Sequence, residues 1–547
     1  MSDDRFRSDY ADHLVEQVIN GRMTRRQLLV RASIFGFSAS AIGGLLAACG
    51  SSGSSSSTTT AGSAPSPKTG GTVRVSSPDS LTALNPVTTY DVGGAVMEQQ
   101  VCEYLIWANN DMTLRGVLAA SWAPDATAKV WTFKLRPGVT FNDGTPFTAA
   151  DVVATFERLV NPKSGSAALS VLGGILSPGG IVAVDDSTVA FHLDKPFADF
   201  PVMVSSSNYN ALILPKNWKG DFVKNPIGTG PFTLTKYTPK VGATFAKNPN
   251  YWQKGYPLLD GVEFKFAADD AAASLALQAG SVDMQCQTPF QGSQALFSNP
   301  KFNIAEVPGT GLREMFMRVD KAPFTDKRVR QAVAYSLDRS AIIQALFGGR
   351  GTVGNDTVFA SLYPNAPQLT QRVQDYAKAK QLLSDAGHPN GVSITLTTEE
   401  YLEVPQYAQL VKAQCQPAGI KVNIATISYN DYYAGNPAPW LSVPMGITDW
   451  APRPTPIQFV QAMLLTSSLW DGAHWHSAAY DKLAAQYSAT LDQTSRAKIA
   501  TQMATTEQDE TPHVLSFFIT QLSARVKNLY NVQGINLYLD LTKAYLA

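Results

Sequence analysis

With 547 residues and 44 Lys/Arg set against 44 Asp/Glu, the chain is long and formally neutral; 10% of its side chains are aromatic and 16% are charged. That length exceeds one simple core and calls for two or three domains. Residues 1–48 hold six Lys/Arg and five Asp/Glu, which leaves 38 positive and 39 negative side chains after them, so nothing electrostatic points to nucleic acid or an anionic membrane as the main partner.

The chain opens on an address. Thr24-Arg25-Arg26-Gln27-Leu28-Leu29 sets Arg25 and Arg26 before a weakly apolar stretch, Ala32 to Ala48, that reaches Leu46-Ala47-Ala48-Cys49. This is the order of a twin-arginine export signal ending in a lipoprotein cleavage site. A transmembrane anchor fits less well, because the stretch is shorter than the ~20 apolar residues of a spanning helix and is diluted by Ser and Gly. Resemblance to bacterial lipoproteins implies a signal peptide over 1–48, with Cys49 lipidated and held at the outer face of the cytoplasmic membrane. Both Met1 and Met23 remain candidate starts. Residues 49–69 are mostly Ser, Thr, Gly, Ala and Pro, a composition that buries no core and gives a tether with a reach of roughly 25 Å. With Cys49 used, Cys102, Cys286 and Cys415 are an odd set without metal spacing, so the sequence predicts buried thiols and at most one disulfide.

Beyond the tether, Gly70-Gly71-Thr72-Val73-Arg74-Val75 reads as a first strand. Trp131, Phe133 and Leu135 alternate as a half-buried strand, Asn142-Asp143-Gly144 supplies a turn, and Thr148 with Asp151 starts a helix whose Val152, Phe156 and Leu159 share one face. Residues 182–184 and 188–193 flank Asp185-Asp186-Ser187 as a hairpin. Pro226-Ile227-Gly228-Thr229-Gly230-Pro231-Phe232 fixes a tight turn before a strand; it lacks the GxxxxGK[ST] of a phosphate loop. A crossing between lobes is expected near Met315 to Asp320, followed by helices started by Asp326, Asp338 and Asp375, the last with Gly387 just past its end. Strand 393–397, helix 402–418 and strand 421–427 form a βαβ unit. Helices over 480–491 and 495–508 precede a strand over 514–518.

The run Trp131-Thr132-Phe133-Lys134-Leu135-Arg136, then Phe141, Asp143-Gly144 and Thr148-Ala149-Ala150-Asp151-Val152, resembles the signature of the family 5 extracellular solute-binding proteins, the peptide- and nickel-type receptors of ABC importers. Gly228-Thr229-Gly230-Pro231 and Asn248-Pro249-Asn250-Tyr251-Trp252 are similar to the same family. The resemblance implies an α/β, two-lobed periplasmic-binding-protein-like fold (type II, cluster C-like) with an extra subdomain in the N-terminal lobe. The expected division is lobe I over 70–102, 223–314 and 514–547, the subdomain over 103–222, and lobe II over 315–513. The implied function is an extracytoplasmic lipoprotein, a monomer, that captures a peptide or small, possibly anionic solute between its lobes and delivers it to a membrane permease.

Enzyme patterns fail. Ser495-Arg496-Ala497-Lys498 and Lys68-Thr69-Gly70 stand in the wrong order for a penicillin-interacting enzyme, Ser495 reads as a helix cap, and neither GxSxG nor HExxH occurs. An envelope hydrolase and a transporter-independent binding protein are the alternatives. No catalytic residue, cofactor or metal is assigned; His474-Trp475-His476 is read as a rim loop without a nearby carboxylate or cysteine.

The ligand region is expected at Gly446 to Pro456, after an apolar run that ends a strand, because open α/β sheets bind ligands beyond the carboxyl ends of their strands. In peptide-binding relatives the matching loop has the form Trp-x-x-Asp, and its Asp holds the peptide amine. Here Trp450-Ala451-Pro452-Arg453 places a cation there. If Arg453 faces the cleft, its planar fork suits a carboxylate or phosphate. If Asp449 takes the place instead, an amine-bearing ligand returns. A third reading pairs Arg453 with a structural carboxylate at a lobe edge. Tyr429, Tyr432, Tyr433, Trp440, Trp450 and Trp475 are read as apolar walls and stacking faces.

Overall fold

The structure, a computed structural model, describes residues 65–80, 83–435, 437–534 and 538–547. Arg25, Arg26, Cys49 and the tether up to residue 64 lie outside the described residues. No helix among those described is long and apolar enough to cross a membrane.

Two large sheets organise the body. In the first, Thr72–Ser77 pairs in parallel with Gly261–Phe266 on one side and Met284–Gln285 on the other, and the sheet extends to seven strands. In the second, six-stranded sheet, Leu312–Met317 lies between His513–Ile519 and Met445–Trp450, antiparallel to both. The expected βαβ unit is present: Val392–Glu400 and Ile420–Ser428 pair in parallel, joined by the helix Val404–Cys415. Its apolar side, including Tyr407, Ala408 and Val411, is buried with Leu396 and Ile447 in one core.

A separate four-stranded sheet, running from Ala119–Pro124 through Val130–Leu135 and Thr188–His192 to Ile181–Asp185, forms the inserted subdomain. The helix Ala149–Val160 covers it with Val152, Phe156 and Leu159 buried, as their spacing predicts. Asp151 accepts from the Thr148 N–H (2.8 Å) at the start of this helix, and also from the Lys216 N–H (2.8 Å), which ties the helix to the chain leaving the subdomain.

The turn at Gly228-Thr229-Gly230-Pro231 packs directly on the backbone at Val101. The Gly230 N–H donates to Val101 O at 2.7 Å, and a Cβ on Gly228 would stand 2.0 Å from that same oxygen. Only glycine allows so close a backbone approach. Asn142 Nδ2 donates to Pro226 O, so the subdomain turn is fastened to the first lobe.

The chain crosses between the large sheets twice. Phe302–Val307 belongs to the first and Leu312–Met317 to the second, and the return runs from His513–Ile519 to Gln521–Val526. The sheets therefore place the return at Thr520, where the sequence reading placed it at 514. The two crossings touch: Ile519 N–H donates to Gly311 O (2.7 Å), and a Cβ on Gly309 would lie 2.5 Å from Ile519 O. Cys102, Cys286 and Cys415 are buried free thiols, and burial raises all three pKa values, that of Cys286 to about 11 and that of Cys415 to about 12.

Candidate functional site

The strands of the second sheet that run toward the crossings end at Glu400, Ser428, Trp450 and Ile519, and the loop 451–455 continues from Trp450. Thr310, on the first crossing, clamps this loop. Its Oγ1 accepts from the Arg453 N–H (2.9 Å) and donates to Arg453 O (2.7 Å), and the Tyr363 hydroxyl donates to the same oxygen at 2.8 Å. The Arg453 backbone is thus fixed to the hinge.

Arg453 lines two cavities between the lobes. It lines a small cavity of about 60 Å³ with Asn109 and Ser207 of the subdomain, Pro308 and Gln521 of the crossings, and Tyr538. It also lines a larger cavity of about 350 Å³, between Val171 and Gly173 of the subdomain and Gln458, Leu469 and Trp470 of the second lobe. Among the described residues its Nε has no hydrogen-bond partner and no carboxylate forms an ion pair with it. Burial lowers its pKa, and the ionisable groups acting on it are the phenols of Tyr363, Tyr209 and Tyr538. A partly buried guanidinium beside phenols can donate charge-assisted hydrogen bonds to an anion. The reading that pairs Arg453 with a structural carboxylate finds no such partner.

Asp449 is placed differently. It accepts from the Tyr433 hydroxyl (2.9 Å) and lies beside buried Glu399, whose pKa is raised to about 8 by burial and then by the Asp449 charge. Tyr429, Tyr401 and Tyr433 gather next to this pair, with Tyr429 centroids 4.8 Å from Tyr401 and 5.1 Å from Tyr433. Oδ1 of Asp449 is thus engaged by the protein's own phenol.

The structure disperses the remaining aromatic residues. Trp450 is buried; its indole N–H donates to Glu314 (2.8 Å) and its ring backs Trp470 at 5.9 Å. Trp440 and Tyr432 form a small buried cluster with Tyr433 alongside. Trp475 is a core residue packed on Tyr480 at 4.9 Å. These side chains fill the protein's own interior, where their indole and phenol faces find partners, and Trp450 stands behind Trp470, which lines the larger cavity. His474 Nε2 contacts Leu441 O at 3.0 Å. Among the described residues no group of three His, Cys, Asp or Glu is placed to hold a metal.

Residues 113–471 match the family described as bacterial extracellular solute-binding proteins, family 5 Middle. The chain belongs to this family. Over 469 residues, 84% of this chain and 91% of the relative, the solute-binding protein is 26% identical to the glutathione-binding protein GsiB of Escherichia coli strain K12. Its fold is similar to that of the unliganded open form of MppA, a periplasmic murein tripeptide binding protein (TM-score 0.77, 21% identity, 88% of this chain and 99% of that one). It is also similar to AgaA from A. tumefaciens R10 in complex with agropinic acid (TM-score 0.66, 23% identity, 87% and 99%). The fold is accordingly the two-lobed α/β receptor fold. Family 5 solute-binding proteins act outside the cytoplasm and serve ABC transporters, and the relatives matched are binding proteins rather than enzymes.

Proposed function

We propose that this solute-binding protein is the receptor of an ABC importer for a small peptide or other carboxylate-bearing solute, held between the lobes by Arg453 and passed unchanged to the permease. The observation that carries the reading is Arg453 itself: the residue lines both interlobe cavities, and its guanidinium has no carboxylate partner among the described residues. A charge left unpaired in partial burial is costly, and a ligand carboxylate relieves that cost on binding. Glutathione and agropinic acid, the ligands of GsiB and AgaA, are both acids, which agrees with an anion site. Lipidation at Cys49 after twin-arginine export would keep a monomeric receptor beside its permease.

Contacts from both lobes are what give a ligand differential affinity for the closed form. Arg453 supplies them on one side and the subdomain residues Asn109 and Val171 on the other. The test begins with mass spectrometry of the solute that co-purifies, followed by calorimetry. Arg453→Ala weakens that solute by about 2–5 kcal/mol, the range for truncating one partner of a buried charge pair. Unchanged affinity removes Arg453 from the site, and conversion of the solute during incubation replaces the receptor with an enzyme.

A further inference from the structure

The larger interlobe cavity has a wall that a purely polar solute does not explain. Leu469 is 85% exposed and Trp470 is 45% exposed, neighbouring large apolar side chains at its rim. Trp470 is not a loose surface ring, since Trp450 stands behind it at 5.9 Å and is itself pinned to Glu314. Val171, on the short helix Leu169–Leu172 of the subdomain, lines the same cavity from the other lobe. Its polar lining includes Ser170, Ser467 and the amides of Gln458 and Gln461, and Gln458 Oε1 is a buried acceptor with no partner among the described residues. Arg453 lines both this cavity and the smaller one.

We infer that the receptor selects amphipathic carboxylates, with the acid group on Arg453, an N–H of the ligand on Gln458, and an apolar chain or ring between Val171 and Trp470. This rests on the carboxylate reading of Arg453 given above and adds the ligand's other end. A sugar acid or compact chelate would leave Leu469 and Trp470 wet. An apolar group there buries ligand, Leu469, Trp470 and Val171 surface together, so it also draws the subdomain toward the second lobe. About 350 Å³ lies at the lower end of ligand-site volumes, enough for a ring or several methylenes.

The probe is a series of N-acylglycines from acetyl to decanoyl, titrated calorimetrically into the full chain. Each carries one carboxylate, one N–H and a growing apolar chain. Affinity is expected to rise about fourfold per added methylene until the cavity is full. Trp470→Ala and Leu469→Ser flatten that rise. Leu469→Ser alters a side chain already in water, so loss of fold cannot mimic the result. Arg453→Ala weakens every member by a similar factor. A flat wild-type series, or an unaltered slope in both wall variants, overturns the inference. If the series is flat while Arg453→Ala still weakens acetylglycine, the carboxylate site stands and only the apolar subsite falls. If no member binds, both fall.

Discussion

Asp199 and Arg496 join the two lobes directly. Asp199 precedes the helix Phe200–Met203 in the subdomain, and Arg496 lies on Gln493–Glu510 of the second lobe. Nη1 donates to Oδ1 at 2.6 Å and Nη2 donates to Oδ2; the side chains are 5% and 12% exposed, and the guanidinium sits 4.1 Å over the Tyr487 ring. The Ala198 N–H donates to Ser488 O (2.7 Å) beside it. Opening returns both charges to water, so the intact pair favours the joined state by only about 1.5–3 kcal/mol, the net worth of charged hydrogen bonds. Asp199→Ala acts more strongly, because it leaves Arg496 dry and unpaired while the lobes touch, at a cost of about 3–5 kcal/mol. The expected result is a shift to the open form, seen as a larger radius of gyration by small-angle scattering, with ligand affinity reduced in proportion to the closed population. Adding Arg496→Met to Asp199→Ala removes the stranded charge and restores part of the compaction. Superimposable scattering profiles for wild type and Asp199→Ala would refute the latch.

Two further predictions concern the second lobe. Asp356 is fully buried, accepts from Arg339 Nη2 at 2.8 Å, from Arg372 Nη1 at 2.6 Å and from the Leu515 N–H at 3.2 Å; burial alone would raise its carboxyl, but the two arginines hold it below the ordinary value. Its contribution is present above the unfolded carboxylate pKa near 3.9 and is lost as pH falls through the depressed folded value, and Asp356→Asn at pH 7 lowers stability by about 3–5 kcal/mol in urea melts because two guanidiniums lose their carboxylate. His513, buried between Glu314 (3.3 Å) and Glu507 (3.6 Å), has a pKa of about 9, because the two carboxylates outweigh burial. A raised folded pKa stabilises fully below the unfolded value near 6.5 and loses that stabilisation as pH rises through 9, by up to about 3 kcal/mol. Thermal melts at pH 6 and pH 9.5 therefore separate in wild type and converge in His513→Gln; an equal gap in both would remove His513 as the cause.

What could be read from the sequence was chemistry that acts within a few residues. Asp326, Asp338 and Asp375 each accept from an N–H two or three residues on, at 2.9 Å, so a carboxylate before an apolar period identified each helix start. Ser495 is the third helical residue, and Asp492 is the cap that accepts from its N–H (2.8 Å). The helix Val92–Val101 was invisible for a reason that local rules cannot contain. Gly93 and Gly94 argue against a helix by propensity, yet a Cβ on Gly93 would meet Pro78 O at 2.6 Å and one on Gly94 would meet Thr89 Cγ2 at 2.7 Å. Tertiary crowding chose glycine there. The return crossing at Thr520 carries no Gly or Pro, since His513–Ile519 and Gln521–Val526 are almost continuous extended chain shared between two sheets.

The cleft divides the same way. Arg453 stands out in the sequence because its loop follows a strand end and breaks the expected acidic pattern, whereas Asn109 and Val171, which line the same cavities, lie about 340 and 280 residues earlier. The aromatic count between Tyr429 and Trp475 could not say which faces a ring turns toward, and most turn inward, where Tyr432, Trp440 and Trp475 gain buried contacts. Trp470 and Tyr429, which are exposed, look no different in sequence from their buried neighbours. On the proposed reading this arrangement has a mechanical consequence. Thr310 binds Arg453 through both its N–H and its carbonyl, so the ligand's acid group is anchored at the crossing segment, close to the axis about which the lobes turn. Contacts near a hinge axis change little as the lobes rotate, while those farther out change most. The acid contact therefore supplies affinity in either state, and the wall between Val171 and Trp470 supplies the difference between open and closed.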